Sequence, residues 1–308
     1  MRSGERLLFA NRLFEIGEFH CAPGDWRWRC VNATGTGDYS YIAFPGTSVL
    51  IQQLGHEPIL ANPNHVLFYR RGQRFLRTLH DPRGDHCTFV RITPDPLAEL
   101  LREARVESAS DDVPFVQGPS DPHAYLALRC ATHALRSGTI ETLALEEAVL
   151  EALRRSLERA AELQAHRRRP ARDRTDREHH LLVEEAKSLL TERVTKDDTI
   201  GSLARALHVS AFHLARVFRE RTGFTLHRYR THLRLLLALD RLADPDVDLA
   251  TIAAEAGFTS HSHFTDAFGA LFQDPPSRVR DTFGRPNLLR LREASEASLA
   301  PRGGRTGA

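Results

Sequence analysis

No run of eighteen or more apolar residues occurs in the 308-residue chain, so no membrane-spanning helix is expected. The opening MRSGERLLFANRLFEIGEF lacks a basic segment followed by an unbroken apolar core, so no secretory signal is expected and a cytoplasmic location is. Cysteine is scarce: Cys21, Cys30, Cys87 and Cys130, with no CxxC pair, are expected to stay reduced thiols. There is also no glycine-rich phosphate loop, no nucleophile elbow and no HExxH, which argues against an enzyme. Net charge is only +2, too small to indicate a partner by itself.

What is present divides the chain in two. Residues 5–92 read as short strands, "YSYIAF", "TSVLIQQL", "HVLFYR", "RFLRTLH" and "HCTFVRI", separated by Gly, Pro and Asn turns. That spacing predicts a β-sandwich or small barrel. Helical patterns follow over 94–165, from the Asp-Pro start at Asp95 through "SDPHAYLALRCATHALRSG" to a long helix over 139–165. Leu145, Ala148, Val149, Ala152, Leu153 and Leu157 form an apolar stripe on that helix. The stripe packs either on its own β domain or, as the homodimer seam of two subunits, on a second copy. "HRRRPARDRTDREHH" has nothing to bury, so 166–177 is expected to be a linker between a domain at 1–165 and one at 178–285. The tail 286–308 is expected to be disordered.

The second domain carries an internal repeat. Leu203-Ala204-x-x-Leu207-His208-Val209-Ser210 matches Ile252-Ala253-x-x-Ala256-Gly257-Phe258-Thr259 forty-nine residues later. Leu214 and Phe218 match Phe264 and Phe268 at an offset of fifty, so the second turn has one extra residue. Each copy is a short helix, a tight turn, a capping hydroxyl and a longer helix, the helix-turn-helix pattern. "TLHRYRTHLRLLLALDRLAD" between them predicts one continuous helix of roughly 27 Å, spacing two reading helices about one DNA turn apart. Charge is local. Residues 205–241 hold eight arginines against two acids, whereas 242–285 hold three arginines against seven acids.

"LARALHVSAFHLARVFRERTGFTLHRY" and "IAAEAGFTSHSHFTDAFGALFQDPPSRVR" resemble the AraC/XylS family of bacterial transcription regulators. The resemblance implies an α+β chain: an N-terminal cupin-like β-sandwich or barrel with helices, and a C-terminal all-α double helix-turn-helix domain of seven helices. It implies sequence-specific binding to promoter DNA, control by a signal at the N-terminal domain that also dimerises, and contact with RNA polymerase in an activator. Carried over by position, the DNA-binding residues are Ser210, Phe212, His213, Ala215, Arg216 and Arg219 in the first unit, and Ser260, His261, Ser262 and His263 in the second. Arg216 suits a bidentate contact to guanine, and Phe212 a thymine methyl. Asp266 stands where Arg216 stands in the first copy, so the first unit is expected to carry most of the affinity. His208 and Gln273 replace glycines common at those turns, which puts the local turn geometry in question.

Cys21, Cys30 and Cys87, with His80, are also candidate ligands for zinc or another soft metal, or sensors in a thiol- or metal-responsive regulator. Buried, inert thiols are the plainer reading. A cupin-type metalloenzyme is the weakest alternative, since "GHEP" and "NPNH" offer only single histidines where a close His-x-His pair is needed.

Overall fold

The computed structural model describes residues 4–35, 37–108, 112–167 and 173–284; the tail at 286–308 lies outside them. Its N-terminal strands are β1 (Glu5–Ala10), β2 (Phe14–Cys21), β3 (Asn32–Ala33), β4 (Ser40–Pro45), β5 (Val49–Gln53), β6 (Ile59–Ala61), β7 (His65–Tyr69), β8 (Arg74–Leu79), β9 (Asp85–Ile92) and β10 (Gln117–Pro119). They form two antiparallel sheets, a six-stranded one in the order β1-β2-β9-β4-β7-β10 and a four-stranded one in the order β3-β8-β5-β6. No pairing joins the two sheets among the described residues, so the barrel alternative for the cupin-like domain is corrected: the sheets do not close. Register explains the faces. Ile16 pairs with Val90, Val90 with Ile42 and Ile42 with Phe68, a fully buried row across four strands. One residue along, Ala43 and Leu67 point the other way and join Val49, Ile51 and Phe75 of the smaller sheet in a second core.

The Ile16–Phe68 row is covered by α1 (Pro94–Glu103), α2 (Pro122–Ser137) and α3 (Thr142–Arg167). Asp121 caps α2 by accepting the Ala124 N–H, and Gly138 ends it in the left-handed region at φ 63°. The stripe of α3 is consumed inside the chain: Leu145, Val149, Leu153 and Leu157 are wholly buried, with Ala152 and Ala160 scarcely exposed. The large side chains of the stripe are thus spent within the chain, and Ala148 is its one half-buried member. Gly118 lets β10 approach this helix closely, since a Cβ there would lie 2.7 Å from Ala160 Cβ.

Seven helices follow: α4 (Asp173–Glu192), α5 (Ile200–Ala206), α6 (Ala211–Thr222), α7 (Leu226–Leu242), α8 (Leu249–Glu255), α9 (His261–Phe272) and α10 (Pro276–Gly284). Helix takes up both ends of the 166–177 segment, for α3 runs to Arg167 and α4 starts at Asp173. Arg174 pairs with Glu178 one turn on, and Asp176 with Arg221 of α6. Side-chain pairing on a helix face thus supports residues that bury little.

The two halves pack directly. Asn62 donates to Tyr229 Oη at 2.9 Å and to Thr191 Oγ1 at 3.0 Å, while Asn64 donates to the Tyr229 carbonyl at 2.8 Å. The Leu60 N–H donates to Glu184 Oε2 at 2.6 Å. On the other side, α2 shares its core with Leu236 and Leu239 of α7, Phe268 of α9 and Phe283 of α10.

Candidate DNA-reading interface

Both repeats build their turn the same way. Thr199 and Asp248 cap the short helices α5 and α8. Ser210 accepts the His213 N–H at 3.2 Å to cap α6, and Ser260 accepts the His263 N–H at 3.1 Å to cap α9. The alignment places Thr259 opposite Ser210, but the extra residue moves the cap on to Ser260. Both serines offered as DNA contacts use their hydroxyl oxygen inside the fold.

The glycine-free turns keep the regular geometry. His208 takes φ 55°, matching Gly257 at 77°, and Gln273 takes φ 61°, matching Gly223 at 75°. A side chain in the left-handed region carries strain that glycine avoids. His208→Gly and Gln273→Gly are each expected to raise unfolding stability by about 0.5–1 kcal/mol, after offset by the more flexible unfolded chain. Urea denaturation checks this. Gly257→Ala goes the other way, because its Cβ would sit 2.7 Å from Thr195 Cα.

The inner face of α6 is Leu214, Val217 and Phe218, all fully buried. That leaves Phe212, Arg216 and Arg219 outside, with His213 and Ala215 half-buried beside them. Phe212 is 90% exposed, the largest exposure of any big apolar side chain described. An aromatic ring at that exposure, on a helix whose core face is complete, is unexplained by packing. Arg216 reaches Glu220 at 3.1 Å and lies 3.5 Å from His213 Nδ1. His213 itself stacks obliquely near His179 of α4. Arg219 has no ion-pair partner among the described residues.

The local count of eight arginines overstates the charge offered outward. Arg230 donates to the carbonyls of Lys196 and Asp198, Arg234 to those of Val194 and Lys196. Arg221 pairs with Asp176 and Arg241 with Glu255. Arg228 lies over the Phe224 ring. Arg205, Arg216 and Arg219 are exposed on the first helix-turn-helix unit, and Arg228 and Arg241 are exposed on α7.

Beside this face lies a feature the sequence did not announce. A cleft of about 1060 Å³ has Phe212, Ala215, Arg216 and Arg219 on one wall and Arg159, Glu162 and Leu163 of α3 on the other. The outer side of α6 thus looks across at the end of an N-terminal-domain helix.

On α9 the buried face is Phe264, Phe268 and Phe272, and His261, Ser262, His263 and Asp266 are exposed. The His263 ring turns back on its own unit, edge-on to Phe258 at 5.3 Å between centroids and 3.3 Å from Thr259 Oγ1.

The four candidate metal ligands do not converge. His80 is held by Ser48 Oγ through Nδ1 and by Ser188 Oγ through Nε2, both at 2.8 Å, as part of the contact between halves. Among the described residues no three His, Cys, Asp or Glu side chains are grouped to hold a metal ion. The ligand set Cys21, Cys30, Cys87 and His80 is therefore corrected: pairing across β2 and β9 sets Cys21 opposite Asp85 and Cys87 opposite Phe19. Burial raises the Cys21 and Cys87 thiols above their ordinary values and pushes Cys130 up to about 12, which keeps all three protonated. All four cysteines are free.

Residues 203–282 match the family model described as a helix-turn-helix domain. The chain is similar to the probable transcription factor PqrA of Proteus vulgaris, 33% identical over 88 residues covering 29% of this chain and 72% of that protein. It is 38% identical over 80 residues to the transcriptional activator RhaS of Pectobacterium carotovorum, covering 26% of this chain and 29% of that protein. A Yersinia pestis RhaS matches at 30% over 155 residues, about half of each chain. Among solved structures, a regulator from Chromobacterium violaceum is 25% identical over 35% of this chain and 96% of its own, with a TM-score of 0.33. No described helix is long and apolar enough to cross a membrane.

Proposed function

We propose, from the premise that this chain belongs to the AraC/XylS family of helix-turn-helix transcription regulators, that it binds promoter DNA sequence-specifically and answers a signal received by its N-terminal domain. The observation that carries the reading is the pairing of 90%-exposed Phe212 with exposed Arg216 and Arg219 on one capped helix. Arg216 gives two donors to guanine O6 and N7, Phe212 meets a thymine methyl, and Arg219 and Arg205 meet phosphate. His213 and Ala215 border the same base edges. In the second unit His261, Ser262 and His263 contact DNA as a supporting half. The RhaS relatives are named activators, so contact with RNA polymerase follows as the output.

Control runs through the packing between halves. The end of α3 stands across the cleft from the reading side of α6, and the Asn62–Tyr229 contact ties the β6–β7 turn to α7. A signal that shifts the N-terminal domain changes how freely α6 meets a duplex. Direct contact replaces a flexible linker as the route.

The test is fluorescence anisotropy of the full chain on DNA from upstream of its own gene, over a salt series, beside a scrambled duplex. Tight binding to the first alone, with a steep salt slope, supports the reading. Equal weak binding to both would count against it. Asp266→Ala is expected to leave affinity equal or tighter, since it removes an acid from the DNA-facing side of α9. Abolished binding in that variant would overturn the ranking of the two units.

A further inference from the structure

Pairing of β2 with β9 sets His20 directly opposite His86 on neighbouring antiparallel strands. The main chain shows which kind of pair they make. The His20 N–H donates to the Gly4 carbonyl at 2.8 Å, on the β1 side, and the His86 carbonyl accepts from the Gly46 N–H at 2.7 Å, on the β4 side. Both residues therefore turn their backbone polar groups away from each other. This is the non-hydrogen-bonded type of pair, in which facing side chains come closest, with Cβ atoms about 4.5–5.5 Å apart.

The two imidazoles meet accordingly, with ring centroids 3.9 Å apart and planes 24° from parallel. Both residues are exposed. His80 and His180 spend ring nitrogens on Ser48, Ser188 and the Pro58 carbonyl. No hydrogen bond claims a ring nitrogen of His20 or His86 among the described residues. An imidazole is mostly neutral at pH 7, so each ring keeps a lone pair to give. Nitrogens bound to one ion at about 2.0–2.1 Å stand roughly 3–3.4 Å from each other, close to the separation of these rings. Rotation about χ1 and χ2, open to exposed side chains, splays the stack so that one nitrogen of each ring converges on the ion. Cys21 and Cys87, one residue further along each strand, point to the opposite face. No third His, Cys, Asp or Glu side chain joins the pair among the described residues, so water completes the coordination. Two imidazoles without a carboxylate select zinc, nickel or copper over calcium and magnesium.

We propose that His20 and His86 chelate one divalent transition-metal ion, Zn²⁺, Ni²⁺ or Cu²⁺, as a clasp between β2 and β9. The loop that leads into β9 carries His80, held by Ser188 of α4. The ion thus braces the strand from which that contact between the halves extends.

The test is calorimetric titration of the full, reduced and chelator-stripped chain with Ni²⁺, together with urea unfolding with and without the ion. The chain has sixteen histidines, so variants are needed to locate the site. Saturable binding of one ion per chain is expected. His20→Asn and His86→Asn are each expected to weaken it about tenfold or more, because either loss turns a chelate into a single ligand. His56→Asn, at an exposed position between β5 and β6, is expected to bind as the native chain does. Only the folded chain brings the two rings together. Ni²⁺ is therefore expected to raise the urea midpoint of the native chain and of His56→Asn, but of neither His20→Asn nor His86→Asn. Absence of stoichiometric binding, undiminished binding in either of the last two variants, or a midpoint that rises in them as much as in the native chain would each overturn the proposal.

Discussion

Arg216→Ala is expected to weaken binding to the specific duplex by roughly 5- to 150-fold, or about 1–3 kcal/mol, while leaving nonspecific binding nearly unchanged. Without DNA, Arg216 is paired with Glu220 at 3.1 Å on an exposed helix surface, with about half of each side chain in solvent. An exposed i,i+4 pair is worth at most ~0.5 kcal/mol, so little opposes its exchange for guanine. Removal of the side chain is also expected to leave folding intact, since Arg216 is exposed while the buried face of α6 is Leu214, Val217 and Phe218. Anisotropy on the specific and scrambled duplexes at one salt concentration checks this. A uniform loss on both would reassign Arg216 to phosphate, and no loss on either would remove it from the interface.

Leu153→Ala is expected to lower unfolding stability by about 2–5 kcal/mol, with a urea midpoint independent of protein concentration. Leu153 is fully buried on α3, between the six-stranded sheet and the helices packed on it. The missing atoms would leave a cavity that the surrounding helices fill only in part. A stripe that instead sealed two subunits would give a midpoint rising with concentration and a change of mass in the variant. Unfolding at two concentrations a hundredfold apart decides between these.

The repeat at Leu203 and Ile252, the outward Arg216 and the buried Leu214–Phe218 face were legible because helix periodicity and capping are local. The helix stop at Gly138 was legible for the same reason. The cap of α9 was misplaced by one residue, as Thr259 and Ser260 both suit the role and only the turn conformation selects between them. Strands β1 and β2 went unmarked within the β region, and β3, β6 and β10 are too short to show a period. The metal set failed because sequence neighbours such as His80 and Cys87 are parted by strand pairing, with His80 turned to α4.

By itself the sequence determined the elements: two capped helix-turn-helix units, a strand-rich first third and an amphipathic α3. Each depends on interactions within a few residues, so the chain declares them without reference to the rest. Only the tertiary structure decided the occupants of each surface. It placed the α3 stripe on its own sheet and bound Arg230 and Arg234 to loop carbonyls. It also buried Arg77 against the rings of Phe19 and Phe75, beside Asp85. Those outcomes depend on residues tens to more than a hundred positions apart, brought together by burial, which no local pattern encodes.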